Sequence, residues 1–452
     1  MDKQQIVVGL DIGTTKIACL IGVKDENKPG KIKIIGHGKV ASVGVVHGVV
    51  KNILQTAETI KHAVTLAAEE AKCSVTEVYV GIAGQHIKNM KNRGMVGIPA
   101  GQEYITEADI KRLIEEQRNV LLDPGDEIIH IFPQTFLVDN DELKNVDPIG
   151  VSGKQLAADF HIVTGNQSNI KNIIQSVKLA GLAVKDIVLE PIASSMAVLT
   201  HEDIEAGVAL VDIGGGTTDL AIFANGVICH THVIPVAGQT ITDDIQKGCT
   251  VLRDTAEKLK VQFGSCMPES LNNDVVSFPG YHGMPPREIA VRTLAGIIKA
   301  RTEDIIDLVN YEIIQSRMEK QLVGGIVLTG GGSKLKDIVN YTSYKTGINA
   351  RIGTPDEHLS SFGDKKGEGI SDPIYATGIG LVLYGFEKLK EEEKKEQPTQ
   401  KTKEEDPIET ILDEEKDEEI KTKVETKENG NNGWLSSLRK KFDTWLTDES
   451  ID

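Results

Sequence analysis

Short apolar runs that end in glycines and small polar residues recur along the first 386 residues. In the clearest case the run 208–211 leads into Asp212, and a second run, 220–223, follows a glycine-rich turn. Apolar, β-branched runs on both sides of glycines predict two strands joined by a tight hairpin. The turn consists of Gly214, Gly215, Gly216, Thr217 and Thr218.

This hairpin has the chemistry of a phosphate-binding turn. Glycines let the backbone approach a ligand closely, and successive amide N–H groups form a concave site for an anion. Two threonine hydroxyls add hydrogen-bond donors, and Asp212 at the strand end is placed to hold a metal ion directly or through water. The alternative is a glycine-rich turn in an ordinary sheet.

The same pattern occurs near the N-terminus, where an apolar run ends at Asp11 and a second run follows at 17–21. The two copies lie roughly 200 residues apart, which predicts a duplicated domain and not a solenoid. Two such hairpins, each heading its own lobe, predict one nucleotide bound across a cleft. The first turn contains Gly13, Thr14, Thr15 and Lys16.

A third glycine cluster follows the apolar run 326–328. A strand that ends in bare backbone before a helix suits a flat ring or a ribose. No G-x-x-x-x-G-K-[ST] pattern occurs in the chain, so the phosphates are not expected to bind in P-loop fashion. This cluster consists of Gly330, Gly331, Gly332 and Ser333, directly after Thr329.

Apolar residues at helical spacing predict helices at 50–72, 106–119 and 169–182, the second opened by the capping pair Thr106 and Asp109. Residues 287–318 are also predicted to be mostly helical. Two small-residue helices, 192–199 and 374–386, suit close helix packing at a hinge. Glu190 precedes the first of them.

Four further residues can be considered as candidates for a binding or catalytic site. Gly238 lies at the entry to a helix predicted to begin near residue 241, and such an entry offers amide groups and a helix dipole to an anion. Glu257 and Lys260 lie at i, i+3 on one helix face, which alone indicates a solvated ion pair. His86 is interpreted as a structural or surface histidine.

Composition narrows the class of protein. The net charge of −17 argues against a nucleic-acid-binding protein, which needs clustered positive charge. Five scattered cysteines without a C-x-x-C pair argue against a zinc framework or disulfides. Without an apolar signal segment or an apolar run of about 18 residues, the chain is expected to be cytosolic.

The three glycine clusters, in this order and spacing, resemble the actin-like ATPase superfamily, which includes actin, DnaK-type chaperones and sugar kinases. The resemblance covers residues 6–386 and implies a two-lobed α/β fold of duplicated RNase H-like domains, with ATP and Mg²⁺ between the lobes. It implies that Asp11 and Asp212 hold Mg²⁺ through water and that Lys16 adds charge at the phosphates.

The same resemblance gives roles to the remaining candidates. The glycines at 330–332 would lie under the adenosine, and Glu257 and Lys260 would flank it. Glu190, on the first connector between the lobes, would orient the attacking water. The alternative is that Glu190 only caps its helix.

Two stretches, 130–139 and 150–165, resemble the FtsA family of bacterial cell-division proteins, whose inserted subdomain, called 1C, contacts neighbouring subunits. The alternative is a generic α+β insertion. The resemblance divides the chain into first-lobe core 1–84 and 164–189 (1A-like), insertion 85–163 (1C-like), second-lobe core 190–230 and 300–386 (2A-like), and 231–299 (2B-like).

The C-terminal part changes character. Residues 391–428 hold 16 acidic and eight basic residues and no aromatic one, so the segment 387–430 is predicted to be a disordered acidic linker. Residues 431–452 are predicted to form an amphipathic helix that lies on an anionic membrane surface. Alternatives are docking on its own domain or in a partner's groove. The apolar stripe is Trp434, Leu435, Leu438, Phe442, Trp445 and Leu446, and the basic residues beside it are Arg439, Lys440 and Lys441.

The FtsA resemblance implies an ATP-binding protein that polymerises and tethers the FtsZ ring to the cytoplasmic face of the inner membrane at the division site. It also implies recruitment of other divisome proteins and at most slow ATP hydrolysis. A sugar kinase would need a general-base aspartate in a substrate pocket. A DnaK-type chaperone would need a peptide-binding domain after residue 386. A pilus-assembly relative would not be expected to carry this tail.

Overall fold

The computed structural model describes residues 5–143, 146–280, 285–360 and 369–396. The predicted amphipathic helix at 431–452 and the predicted linker beyond residue 396 lie outside these residues. Two five-stranded sheets form the framework, and both have the same strand order along the chain, third-second-first-fourth-fifth. This repeated topology confirms the predicted two-lobed α/β fold with a duplicated domain.

The first lobe is built on a sheet in which three antiparallel strands are extended by two parallel ones. The strands are β1 (Ile6–Ile12), β2 (Lys16–Lys24), β3 (Ile32–Ala41), β6 (Glu77–Ile82) and β11 (Ala183–Leu189). A short hairpin of β4 (Val45–Val46) and β5 (Val49–Val50) precedes α1 (Ile53–Ala71). Helices α1 and α3 (Gln167–Leu179) cover one face of the sheet through apolar side chains such as Ile60 and Ile173.

Between β6 and α3 the chain forms a separate sheet in the order β7-β10-β8-β9. Helix α2 packs on it around the fully buried Phe160 and Leu113. The predicted capping pair is confirmed, because Thr106 and Asp109 form a capping box at the start of α2. The elements are β7 (Lys88–Gly97), α2 (Glu107–Gln117), β8 (Asp126–Val138), β9 (Asp141–Leu143) and β10 (Gln155–Asn166).

The second lobe repeats the sheet and adds a helical layer. Its strands are β12 (Val208–Ile213), β13 (Thr218–Ala224), β14 (Val227–Ile234), β17 (Ile326–Thr329) and β18 (Ala350–Ile352). Its remaining elements are α5 (His201–Ala206), α6 (Gly238–Cys249), α7 (Arg253–Phe263), β15 (Val275–Phe278), β16 (Arg287–Ala290), α8 (Val291–Ser316) and α9 (Ile338–Thr346).

Two helices, α4 (Glu190–Val198) and α10 (Ala376–Glu396), lie between the lobes. A Cβ atom added to Gly380 would lie 1.7 Å from the carbonyl oxygen of Ala193, so the two backbones approach as closely as glycine permits. One apolar cluster includes Leu20 of the first lobe and Leu210 of the second, with Leu381 between them. The predicted close packing of small-residue helices is confirmed.

Five predicted boundaries differ from the structure. Residues 287–290 form β16 and not a helix, because they pair with β15. Helix α6 begins at Gly238 and not near 241. Helix α10 continues ten residues into the segment assigned to the linker, where Glu and Lys residues at i, i+3 favour the helix. The predicted domain boundaries at residues 231 and 300 lie inside β14 and α8.

Among the described helices, none has the length and apolar character needed to cross a bilayer.

Candidate functional site

The two glycine-rich hairpin turns, about 200 residues apart in sequence, meet face to face between the lobes. A Cβ atom on Gly215 would lie 2.3 Å from the side chain of Thr15, and one on Gly216 would lie 2.3 Å from Oγ1 of Thr14. Only glycine fits at these two positions while the turns are in contact. The structure therefore brings together the two turns that the sequence singled out.

The β4–β5 hairpin also bridges the lobes, which the sequence analysis missed. Nδ1 of His47 lies 3.0 Å from the carbonyl oxygen of Gly216, and the amide of Gly48 donates to Oγ1 of Thr14 at 2.9 Å. Both His47 and Gly48 have positive φ, as the tight turn requires. One short turn of the first lobe thus contacts the tips of both larger hairpins.

Asp212 lies at the end of β12 and is 7% exposed. Its Oδ2 accepts hydrogen bonds from Oγ of Ser194 at 2.7 Å and from Oγ1 of Thr377 at 3.3 Å. Ser194 belongs to α4 and Thr377 to α10, so a hydroxyl from each connecting helix orients this carboxylate. Burial raises the pKa of Asp212, and the Ser194 hydrogen bond opposes that rise.

The third glycine cluster meets the second hairpin at the same carboxylate. Gly330 has φ of +78°, and a Cβ atom there would lie 2.2 Å from Oδ1 of Asp212. Ser333 closes the turn by donating to the carbonyl oxygen of Gly330 at 2.7 Å. The β12–β17 pairing, which places Asp212 beside Thr329, explains this meeting.

Negative charge exceeds positive charge at the centre of the site. Lys16 pairs with Asp11. Burial alone would lower the pKa of Lys16, but the carboxylates of Asp11, Asp212 and Glu190 raise it. Burial and the nearby carboxylates of Asp11, Asp219 and Asp212 raise the pKa of Glu190 well above its usual value. One ammonium, that of Lys16, therefore faces three carboxyl groups.

Asp219 is a member of this group that the sequence analysis missed. It is 3% exposed, and burial together with Asp212 raises its pKa to about 8. Its Oδ2 accepts a hydrogen bond from Oγ1 of Thr217 at 3.0 Å, whereas its buried Oδ1 has no hydrogen-bond partner among the described residues. The T-T-D sequence at 217–219 is the only local indication that Asp219 belongs to the carboxylate group, because its position is otherwise that of an ordinary strand residue.

These residues fit a divalent cation with oxygen ligands. Mg²⁺ binds carboxylates and water with few protein contacts, and a positive ion would relieve both the excess charge and the orphaned Oδ1 of Asp219. The predicted metal-holding residues, Asp11 and Asp212, lie within this group.

Some predicted donors bond within the protein instead. The amide of Gly214 donates to the carbonyl oxygen of Thr217 at 2.9 Å, and Oγ1 of Thr218 donates to that of Val236 at 2.8 Å. With Oγ1 of Thr217 bonded to Asp219, both threonine hydroxyls of the second hairpin shape the turn. Here these hydroxyls bond within the protein, and the expectation that they face an anion stays a prediction.

The first residues of α6 also form hydrogen bonds within the protein. The amides of Gly238 and Gln239 donate to the carbonyl oxygens of Gly214 and Gly215, at 3.1 and 2.8 Å. These hydrogen bonds hold the hairpin in place, and anion binding at Gly238 stays a prediction.

The predicted pair of Glu257 and Lys260 exists on α7, with Nζ of Lys260 2.8 Å from Oε2 of Glu257. The same Nζ donates to the carbonyl oxygen of Gly238 at 2.9 Å and to Oγ1 of Thr242 at 2.8 Å. This ion pair therefore fastens α7 to the start of α6 behind the second hairpin.

His86, the remaining candidate, is 9% exposed, and burial lowers its pKa to about 4.

Comparison with known proteins identifies the family. The cell division protein FtsA of Pseudomonas aeruginosa is 36% identical over 385 residues, which cover 85% of this chain and 90% of that protein. The chain belongs to the FtsA family. The FtsA proteins of Neisseria meningitidis serogroup B and Escherichia coli K12 are 37% and 34% identical, each covering 91% of its own length.

Family models agree with this assignment. The model for cell division protein FtsA matches residues 209–380. The model for the SHS2 domain inserted in FtsA matches residues 84–164, which include the four-stranded sheet except for the last two residues of β10. The Hsp70 protein model matches residues 166–229, which include α4 and the second hairpin. The sequence-based assignment to FtsA is confirmed, and it replaces the chaperone, sugar-kinase and pilus-assembly alternatives.

Solved structures show the same fold at low identity. The PilM-PilN type IV pilus biogenesis complex aligns with a TM-score of 0.60 and 16% identity, over 85% of this chain and 99% of that one. MreB5 of Spiroplasma citri bound to ADP aligns with a TM-score of 0.51 and 16% identity, over 87% of this chain and 99% of that one. The fold of this FtsA-family chain is therefore actin-like.

Proposed function

We propose that this FtsA-family protein binds ATP·Mg²⁺ between its lobes, polymerises, and tethers the FtsZ ring to the cytoplasmic face of the cell membrane at the division site. Recruitment of later divisome proteins belongs to the same proposal. Family membership supports a role in cell division, as its relatives are named cell division proteins. Nucleotide binding, polymerisation and membrane tethering each need their own support.

Support for the nucleotide comes from the cleft and from a structural relative. Two glycine turns and a third glycine cluster surround a group of carboxylates centred on Asp212. MreB5 of Spiroplasma citri, which has the same fold, was solved with ADP and with AMPPNP. In this chain Asp11 and Asp212 would hold Mg²⁺ through water, and the ion would neutralise charge on the phosphates.

Support for tethering comes from one observation in the C-terminal part of this FtsA-family chain. There an acidic segment is followed by an apolar stripe that includes both tryptophans of the chain. A single short helix binds a membrane weakly and reversibly, much as one lipid anchor does. Linking many copies in a filament multiplies the apparent affinity by factors of roughly 10²–10⁴. ATP-dependent polymerisation would therefore control membrane residence.

Sedimentation with anionic liposomes tests this proposal. The full chain is expected to sediment with the liposomes, more strongly with ATP·Mg²⁺ than without nucleotide. A chain stopped at Asn432 is expected to stay in the supernatant under both conditions. If the full chain did not bind in either state, the tether would be rejected and the terminal segment would be assigned to a partner groove.

A second expectation concerns Glu190, which begins α4 beside Asp11 and Lys16. Burial and the neighbouring carboxylates raise its pKa, and a bound cation would lower that pKa and favour the carboxylate form, which would orient water. Glu190→Gln is expected to slow phosphate release in single-turnover assays by at least about tenfold, with ATP affinity changed less than about threefold. An unchanged rate would leave Glu190 only its role at the start of the helix.

A further inference from the structure

Three side chains outside the nucleotide cleft lie together at the edge strand of the second-lobe sheet. His230 and His232 are two residues apart on β14, so both project from the same face of the strand. Their rings are nearly parallel, with an interplanar angle of 5° and centroids 6.4 Å apart. Glu312 of α8 faces them, with Oε2 3.1 Å from Nε2 of His230 and 3.4 Å from Nδ1 of His232.

These distances match those between ligands around one metal ion. Bonds of about 2.0–2.2 Å in a tetrahedral zinc site place neighbouring ligand atoms roughly 3.3 Å apart. The three ligand atoms lie within 4.8 Å of one another, and both distances to Glu312 are already near the tetrahedral value. Within the described ranges, no other group of three such residues meets this criterion.

The donor set indicates the class of ion. Two imidazole nitrogens and one carboxylate oxygen suit Zn²⁺ and its first-row neighbours, whereas Mg²⁺ and Ca²⁺ prefer oxygen ligands alone. The side chains of His230 and Glu312 are 13% and 14% exposed, and that of His232 is 40% exposed. An ion would therefore be reachable from solvent and would keep a fourth position for water or a group of another molecule.

We propose that His230, His232 and Glu312 bind one divalent transition-metal ion, Zn²⁺ by the chemistry of the ligands, and that this ion fastens α8 to β14. The site joins elements whose ligand residues are 80 positions apart in sequence. It is separate from the cleft proposed for the nucleotide, where the candidate ligands are carboxylates.

The strand that the ion would stiffen is also the strand on which the inserted sheet rests. Nδ2 of Asn89 donates to the carbonyl oxygen of Thr231 at 2.5 Å, and Nε2 of His161 lies 2.9 Å from Oγ1 of the same residue. Gln134 adds hydrogen bonds to the carbonyl oxygens of Ile228 and Cys229 at 3.1 Å. Thr231, between the two histidines, thus contacts the inserted subdomain, so metal binding would order the junction between that subdomain and the second lobe.

Zinc titration of the untagged full chain against a chromophoric chelator tests the proposal. We expect one ion per chain, retained in excess Mg²⁺. His232→Ala and Glu312→Gln should each weaken binding at least about tenfold. Cys229→Ser and His62→Ala are the matched controls: Cys229 neighbours the site with its Sγ near the carbonyl oxygen of Val227, and His62 is exposed on α1.

Two further readouts separate the outcomes. Co²⁺ in the same site should give the visible absorption of a low-coordinate nitrogen and oxygen environment, without the strong ultraviolet band of thiolate ligation. Zn²⁺ should raise the melting temperature of the unmodified chain and leave that of Glu312→Gln unchanged. The proposal is overturned if no ion is taken up, or if binding survives His232→Ala and is lost in Cys229→Ser. Equal ATP affinity across the variants would show that each is folded.

Discussion

Asp212→Asn is expected to lower the affinity for ATP about 100-fold in the presence of Mg²⁺, at the upper end of the range for residues that hold a metal through an outer shell. The substitution keeps an oxygen that accepts the hydrogen bonds of Ser194 and Thr377. It removes only the charge that would attract the metal ion through water. Equilibrium titration with a fluorescent ATP analogue, in Mg²⁺ and in EDTA, measures the effect.

The expected result in EDTA has the opposite sign. Without the metal, the carboxylate of Asp212 repels the phosphates, so asparagine should leave ATP affinity unchanged or increase it. Asp304→Asn on α8, which removes an exposed carboxylate paired with Arg301, is the control and should behave as the unmodified chain does in both buffers. Equal losses of Asp212→Asn affinity in Mg²⁺ and EDTA would contradict a metal-holding role and indicate damage to the fold.

The centre of the cleft was predictable from sequence because its signals are local. Asp11 and Asp212 each end an apolar run directly before a glycine turn, and Gly330 follows a third run. Within a strand–turn–strand unit, the local sequence alone determines where glycines leave the backbone accessible and where a carboxylate is placed. The duplication of the pattern predicted that the two turns face one cleft, whereas the contact of Thr15 with Gly215 is known only from the structure.

The residues that support the cleft could not be predicted in the same way. Ser194 and Thr377 occur in helices rich in small residues, and close helix packing already explains such residues without any role at the cleft. Only the crossing of α4 and α10 brings both hydroxyls to Asp212. Thr217 and Thr218 were assigned to an anion because the sequence does not show which groups a strand end already uses. Only the fold determines which of these donors remain for a ligand.

The same limit applies to the cluster on β14. The H-T-H sequence at 230–232 is visible in the chain, but it becomes a possible metal site only with Glu312, which is contributed by a helix 80 residues later. Five scattered cysteines argued against zinc in a cysteine framework, and that argument does not address a site built from imidazole and carboxylate ligands.

Trp445→Glu is expected to lower the binding constant of the protein for anionic liposomes about 100-fold. Burial of an aromatic side chain contributes about 1.5–3 kcal/mol, and each charge near an anionic surface about 1 kcal/mol. Trp445 lies in the apolar stripe of the segment predicted to be an amphipathic helix. Because this segment is separated from the nucleotide cleft by the acidic stretch, ATP affinity should not change.

Thr444→Glu adds the same charge one residue away, on the face opposite the stripe in the predicted helix, and so isolates the contribution of burial. It should reduce liposome binding only about fivefold, the effect of one repelled charge. Equal losses in the two variants would mean that binding is electrostatic and that the stripe does not enter the membrane. A parallel fall in ATP affinity in Trp445→Glu would instead mean that the terminal segment packs on the folded domains. Binding that recovers when ATP·Mg²⁺ drives polymerisation would support avidity, because many weakened helices in one filament still bind together.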